Sequence, residues 1–277
     1  MLRSLYSGVS GMKGFQTKLD VIGNNIANVN TIGFKAGRVM FKDILSQTVA
    51  GVTAPTDTTG GVNSKQIGLG VTVGAIDTIH TPGSAMTTNQ VTDLRIDGDG
   101  FFAIAPDSDT IDQPYLTRAG NFTLDPTGKL VTSDGMLVMG TAGTPITLDL
   151  TTVTAFTIAQ NGSIIAVNQD GTSSITDQQV AVVKVANPSG LEKIGGNLYR
   201  ATPNSDPEGT TVDYAASLAS DTTRGTGAII SGQLEMSNVD LTSEFTEMIV
   251  AQRGFQANSR IITTSDEVLQ EVVNLKH

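Results

Sequence analysis

Residues 94–104 read Leu-Arg-Ile-Asp-Gly-Asp-Gly-Phe-Phe-Ala-Ile. Two short runs of β-forming residues flank four that favour turns, so the stretch reads as strand, turn, strand. Apolar-polar runs follow at 115–118, 121–124, 129–132 and 136–139, separated by Ala-Gly, Asp-Pro-Thr-Gly and Ser-Asp-Gly. Residues 156–159 turn through Asn161-Gly162 into 163–167, and 180–185 form a further apolar strand. Short strands at this spacing, with Asn-Gly and Asp-Gly between them, predict an all-β centre, either barrel or sandwich. Asp97-Gly98-Asp99-Gly100 invites comparison with a calcium loop. Phe101 and Phe102 stand where that loop needs an oxygen ligand and a glycine, so a glycine-rich turn is the better account.

Outside this centre the periodicity changes. Leu5, Val9, Met12, Leu19 and Ile26 fall on a three-four spacing, with Gln16 and Gly23 as its polar or small members. That is a helical seam of the coiled-coil type. It is expected to end at Asn30-Thr31-Ile32-Gly33, where Gly33 can take the left-handed conformation. Gly8, Gly11, Gly14 and Gly23 each cost about 1 kcal/mol relative to Ala, so this helix should not stand alone. The spacing returns in Leu241, Phe245, Met248, Phe255, Ile262, Leu269 and Val273, interrupted by Gln252, Ser259 and Asp266, with Asn238 or Asp240 as candidate N-cap.

The two ends carry opposite charge. Residues 1–38 hold Arg3, Lys13, Lys18, Lys35 and Arg38 against Asp20, whereas 239–277 hold Asp240, Glu244, Glu247, Asp266, Glu267 and Glu271 against Arg253, Arg260 and Lys276. Narrow seams of opposite charge favour pairing of the two helices over separate packing on the β centre. The expected fold is mainly β with α-helical termini: a central β-barrel or sandwich plus paired N- and C-terminal coiled-coil helices. Residues 1–35 with 238–277 form the terminal-helix domain and 68–237 the β-domain. Residues 36–67 are an extended arm, because 50–65 (AGVTAPTDTTGGVNSK) are rich in Thr, Gly and Pro. A second polar loop spans 203–226.

Composition narrows the chemistry. Among 277 residues, 17 basic groups face 27 acidic ones, a net charge of -10, which disfavours nucleic-acid binding. With no cysteine there is no disulfide, thiolate nucleophile or sulfur-ligated metal. The two histidines are His80, read as a surface residue, and His277. No Gly-x-Ser-x-Gly elbow and no phosphate-binding glycine loop is present. Carboxylates are plentiful, but a glycosidase would lack an aromatic sugar platform, since aromatics are 5% and Trp is absent. The chain is therefore expected to be no enzyme, with no catalytic, cofactor or metal residues. Its start, MLRSLYSGVSGMKGFQTK, lacks the apolar core of a secretory leader, and no run approaches eighteen apolar residues. The expectation is a cytosolic protein or one exported without a removable signal.

Residues 19–35, LDVIGNNIANVNTIGFK, closely resemble the N-terminal signature of the bacterial flagellar axial proteins, the rod and hook family; Asn24, Asn25, Asn28, Gly33 and Phe34 carry the likeness. Two further blocks resemble the family in order: 93–140, with DGDGFF, YLTRAGNF and GKLVTSDG, and 232–275, with GQLEMSNVDL and MIVAQRGFQANS. The resemblance implies a structural subunit exported unfolded through the flagellar type III apparatus and polymerising into a hollow helical tube. The terminal seams would form its inner layer, so the twelve seam residues named above become the expected assembly seam. The words Val239-Asp240-Leu241, 248–253 and Asn274-Leu275-Lys276, with the short length, resemble the hook proteins of Gram-positive bacteria; 47–66 resembles a stretch of distal rod proteins. The resemblance thus implies a hook subunit, a universal joint between rod and filament, with the distal rod as the alternative. A secreted β-rich binding module is the bland third reading. Implied partners are copies of itself, the distal rod protein, the hook cap, the hook-filament junction proteins and the export apparatus. The implied location is the hook and basal body, outside the cell after export.

Overall fold

The computed structural model describes all residues except 1, 57–59, 108–112, 170–171, 207–213, 215–216 and 276–277. The expectations for Lys276, His277 and parts of the 36–67 and 203–226 segments lie outside the described residues. The chain divides into two units, one made of Met1–Ala27, Gly37–Thr78 and Asp240–His277, the other of Asn28–Ala36 and Ile79–Val239.

In the first unit, helices α1 (Leu2–Ala27) and α2 (Leu241–Asn274) run antiparallel. Near one end Ser4 meets Ser265, and near the other Lys18 Nζ lies 3.1 Å from Glu247. Asp240, not Asn238, caps α2, its Oδ1 accepting Thr242 N–H at 2.9 Å. α1 stops at Ala27, before the expected Asn30. The contact face also differs from the expected seam. A Cβ built on Gly11 would lie 2.6 Å from Asn258 Nδ2, and one on Gly254 2.6 Å from the Phe15 ring. These two glycines leave room for a side chain of the facing helix, and that packing offsets the propensity cost of a helical glycine. Gly8, Gly11, Gly14 and Ile22 are buried, while Leu5, Met12, Leu19 and Ile26 are half-buried and Val9 is exposed. On α2, Met248, Ile262 and Leu269 are half-buried; Leu241, Phe245, Phe255 and Val273 are exposed.

The segment expected to be an extended arm folds back on itself. Strand Gly37–Asp43 pairs antiparallel with Val71–Thr78, and Ser46–Ala50 with Lys65–Gly68, with a further bridge between Thr53 and Val62. Residues 67–74 alternate apolar residues with Gly or Thr, and 39–41 are a short apolar run of Val, Met and Phe, enough β-forming character to pair, while only the tip keeps the Thr/Gly/Pro composition. Residues 68–78 accordingly group with the helices rather than with the β-domain.

The second unit is built around strand Phe101–Ala105, which is buried on both faces. Alternation sends Phe102 and Ile104 into one core with Leu94, Ile96, Phe122, Leu130 and Val138, and Phe101, Ala103 and Ala105 into another with Leu116, Met139, Val183 and Tyr199. Its neighbours are Tyr115–Thr117, Leu137–Val138 and Val182–Val183, all antiparallel. A separate three-stranded sheet runs Val153–Ile158, Ser163–Asn168, Ser173–Gln179. The result is sandwich-like; the sheets form no closed barrel among the described residues. Strand Leu94–Asp97 pairs with Ala228–Ser231, not with Phe101–Ala105, so the turn between them redirects the chain instead of closing a hairpin.

Candidate functional site

Lys35 extends a fully buried side chain from the 28–36 segment, its Nζ 2.6 Å from Glu235 Oε1 and donating to Thr81 O at 2.8 Å. The other carboxylate oxygen of Glu235 is 3.2 Å from Arg118 Nη1, and Gly83 N–H donates to Oε1 at 2.9 Å. Arg118 also donates to Gly98 O at 2.8 Å and lies over the Phe101 ring, 5.3 Å from its centroid. Side-chain exposures of 0% for Lys35, 1% for Glu235 and 3% for Arg118 make this a buried two-cation, one-anion network. Burial alone would raise the Glu235 pKa, but Arg118 and Lys35, with the hydrogen bonds from Lys35 and Gly83, hold it below the usual carboxylate range. Burial lowers the Lys35 pKa and Glu235 offsets it in part.

Backbone and amide bonds complete the junction. Gly33 N–H donates to Glu235 O at 2.8 Å. Asn238 accepts from Ala36 N–H at 2.8 Å and donates to Ile79 O at 2.8 Å. Phe34 is buried, with Lys193 Nζ 4.3 Å above its ring, and Asn197 donates to Ile32 O at 2.8 Å. Gly33 does take the left-handed conformation (φ 69°), and a Cβ there would meet Ala119 N at 2.6 Å. Gly33→Ala should therefore cost about 2–3 kcal/mol, from backbone strain and a clash with rigid main chain, measured by urea denaturation.

His80 sits beside this network, edge-on to Phe101 and Tyr199 at centroid distances of 5.6 and 5.5 Å. It is half-buried, not the surface histidine expected. Burial, then the charges of Lys35, Arg118 and Lys193, push its pKa down to about 4, and burial pushes Tyr199 up to about 12. Between the unfolded value near 6.5 and about 4, the unfolded chain binds a proton that the folded chain refuses. Stability from this source is complete above pH 6.5 and lost as pH falls towards 4, by about 1–2 kcal/mol after allowing for partial exposure. Urea melts at pH 7.5 and 5.0 should show the loss, and His80→Phe, which keeps the ring stack, should remove it.

In the first unit Asn25 is the counterpart. It is 2% exposed. Its Oδ1 accepts Gly37 N–H and its Nδ2 donates to Gly37 O, both at 2.9 Å, and Nδ2 also donates to Glu244 at 3.0 Å. Asn28 Oδ1 accepts from Thr31 Oγ1 at 3.1 Å, while Asn24 is exposed. The asparagine motif thus fixes the exit from α1, whereas the residues expected to form an assembly seam are divided between half-buried and exposed positions. Sequence reasoning missed Arg118, Glu235 and Asn238. Glu235 alone carried a faint local signal, a charge between Leu234 and Met236; Arg118 and Asn238 stand in mixed runs that carry none.

Three family profiles match the chain: "Flagella basal body rod protein" over 5–35, "Flagellar hook protein FlgE/F/G D1 domain" over 95–174, and "Flagellar basal body rod FlgEFG protein C-terminal" over 230–275. The flagellar basal-body rod protein FlgG of Bacillus subtilis is 58% identical over 276 residues, covering 100% of both chains.

The chain belongs to the flagellar rod and hook family.

It is accordingly a structural component of the bacterial flagellum. Borreliella burgdorferi offers relatives of both kinds: its rod protein FlgG is 35% identical over 277 residues, spanning 100% of this chain and 99% of its own. Its hook protein FlgE is 30% identical over an alignment of 455 positions that spans both chains fully. The hook expectation is not carried by these comparisons, which favour the rod alternative. The buried network takes one residue from each matched block: Lys35 from the first, Arg118 from the second, Glu235 from the third. Family likeness and the buried charges therefore meet at one junction. Among the described residues no helix is long and apolar enough to cross a membrane.

Proposed function

We propose that this chain is a distal rod subunit, a building block of a stiff drive shaft, rather than of the hook. The observation that carries this reading is the 58% identity to a rod protein over the whole of both chains. The hook relative needs an alignment of 455 positions against a chain of 277, so it holds much sequence without counterpart here. Short length and the tail words, which suggested a hook, fit a rod protein of equal length as well.

In this reading the protein is not an enzyme. It leaves the cell through the flagellar export apparatus and polymerises with copies of itself, meeting hook subunits at its outer end. Apolar side chains left bare on α2, among them Phe245, Ile249, Val272 and Val273, supply the assembly seam that a polymer needs. The test is complementation. Expressed in Bacillus subtilis lacking its FlgG, the chain should restore rods and swimming; in cells lacking the hook protein it should restore neither hooks nor swimming. Rescue of the hook-deficient strain alone would overturn the rod reading.

A further inference from the structure

Lys35 and Arg118 are buried cations that share one carboxylate, and that carboxylate stands on residue 235 of 277. We propose that Glu235 acts as a completion lock: the 28–36 segment cannot dock in its unit until the 232–238 segment has taken its place. The inference does not depend on whether the subunit belongs to rod or hook.

Without Glu235 the docked segment would place Lys35 Nζ, 0% exposed, in the same interior as the Arg118 guanidinium, with only carbonyl oxygens to face them. Two unneutralised buried charges cost far more than the segment's other contacts return. Arg118 is fixed within the sheet by Gly98 O and the Phe101 ring. Lys35 is the mobile member, since it can carry its own segment back into water. The same 232–238 segment also supplies the acceptor for Gly33 N–H and, through Asn238, the acceptor for Ala36 N–H. A chain made from its N-terminus meets these partners last. The segment leading out of α1 therefore stays undocked in every chain that ends before residue 235, and order there reports that the second unit, which ends at Val239, is complete.

The experiment is amide hydrogen exchange on the full-length chain, comparing 28–36 with the core strand Phe101–Ala105. In Glu235→Ala, exchange across 28–36 should rise at least about 100-fold, while the core strand stays within about 3-fold of wild type. Adding Lys35→Met to that variant removes the stranded charge that the segment itself carries, leaving Arg118 to Gly98 O and the Phe101 ring, and should return 28–36 to within about 10-fold of wild type. Lys35→Met alone leaves Arg118 and Glu235 as a balanced pair and should keep the segment protected. Glu235→Gln, which preserves volume and an oxygen facing Gly83, is the second test of the lock should Glu235→Ala not fold. The proposal is overturned if 28–36 stays protected without the carboxylate, if the core strand opens along with it, or if Lys35→Met brings no recovery. Failure of both Glu235 variants to fold overturns it too, because the carboxylate would then be holding the whole core.

Discussion

A chain trimmed to residues 68–235 should melt roughly 8–16 °C below one in which residues 28–36 are joined by a short Gly-Ser turn to 79–239. The joint is feasible because Ile79 N–H already donates to Ala36 O at 2.8 Å, so the two ends to be linked are neighbours. The shorter fragment follows the expected β-domain, two residues short at its C-terminal end, yet it discards the segment that closes the unit. It loses Phe34, whose burial is worth about 1.5–3 kcal/mol. It also loses the bonds from Gly33 to Glu235 O and from Asn197 to Ile32 O, and the double grip of Asn238, each worth about 1 kcal/mol net. Removal of Lys35 works the other way, since it relieves one buried charge and leaves Glu235 with Arg118. The balance is a loss of about 4 kcal/mol, which for a unit of this size corresponds to the stated shift. Calorimetry on the two fragments tests it. Equal melting temperatures would mean that 28–36 contributes nothing to the β unit.

Much of this architecture could be read in advance, and the exceptions share a cause. The strands around Phe101–Ala105 were legible because their alternation and their turns are local properties of the chain. The two terminal helices were legible for the same reason, as was the left-handed Gly33. What escaped were relations between distant positions. Gly11 read as a helix weakness and Gly254 passed without notice, because nothing within either helix says that Asn258 or the Phe15 ring will lie against them. Residues 36–67 read as an arm, because two strands separated by a polar tip of this length give no hairpin signal of their own. Lys35, Arg118 and Glu235 are the clearest case. Each is unremarkable in its own run, and only the fold reveals that one carboxylate answers two cations across 200 residues. The resemblance pointed to all three blocks without saying why a charge stood in each.

Phe245→Asp should abolish polymerisation while leaving the single chain's melting temperature within about 2 °C. Phe245 is 50% exposed on α2, so in the lone subunit an aspartate there meets water and costs little. It lies in the first turns of the helix, where a negative charge is favoured by the helix dipole. In a polymer the same position would be covered by a neighbouring copy, and burying an unpaired carboxylate beside Glu244 and Glu247 is heavily disfavoured. Every subunit would carry that penalty, so elongation should stop. Met248→Asp is the necessary contrast. Met248 is half-buried within the first unit, so its replacement should weaken the isolated chain by several degrees as well as block assembly. Melts below the assembly concentration, together with sedimentation of concentrated protein, separate the two effects. If Phe245→Asp still forms polymers, the exposed side of α2 is not the assembly seam. If it instead lowers the monomer melt as far as Met248→Asp does, the ring packs in the lone chain and its exposure is not available to a neighbour.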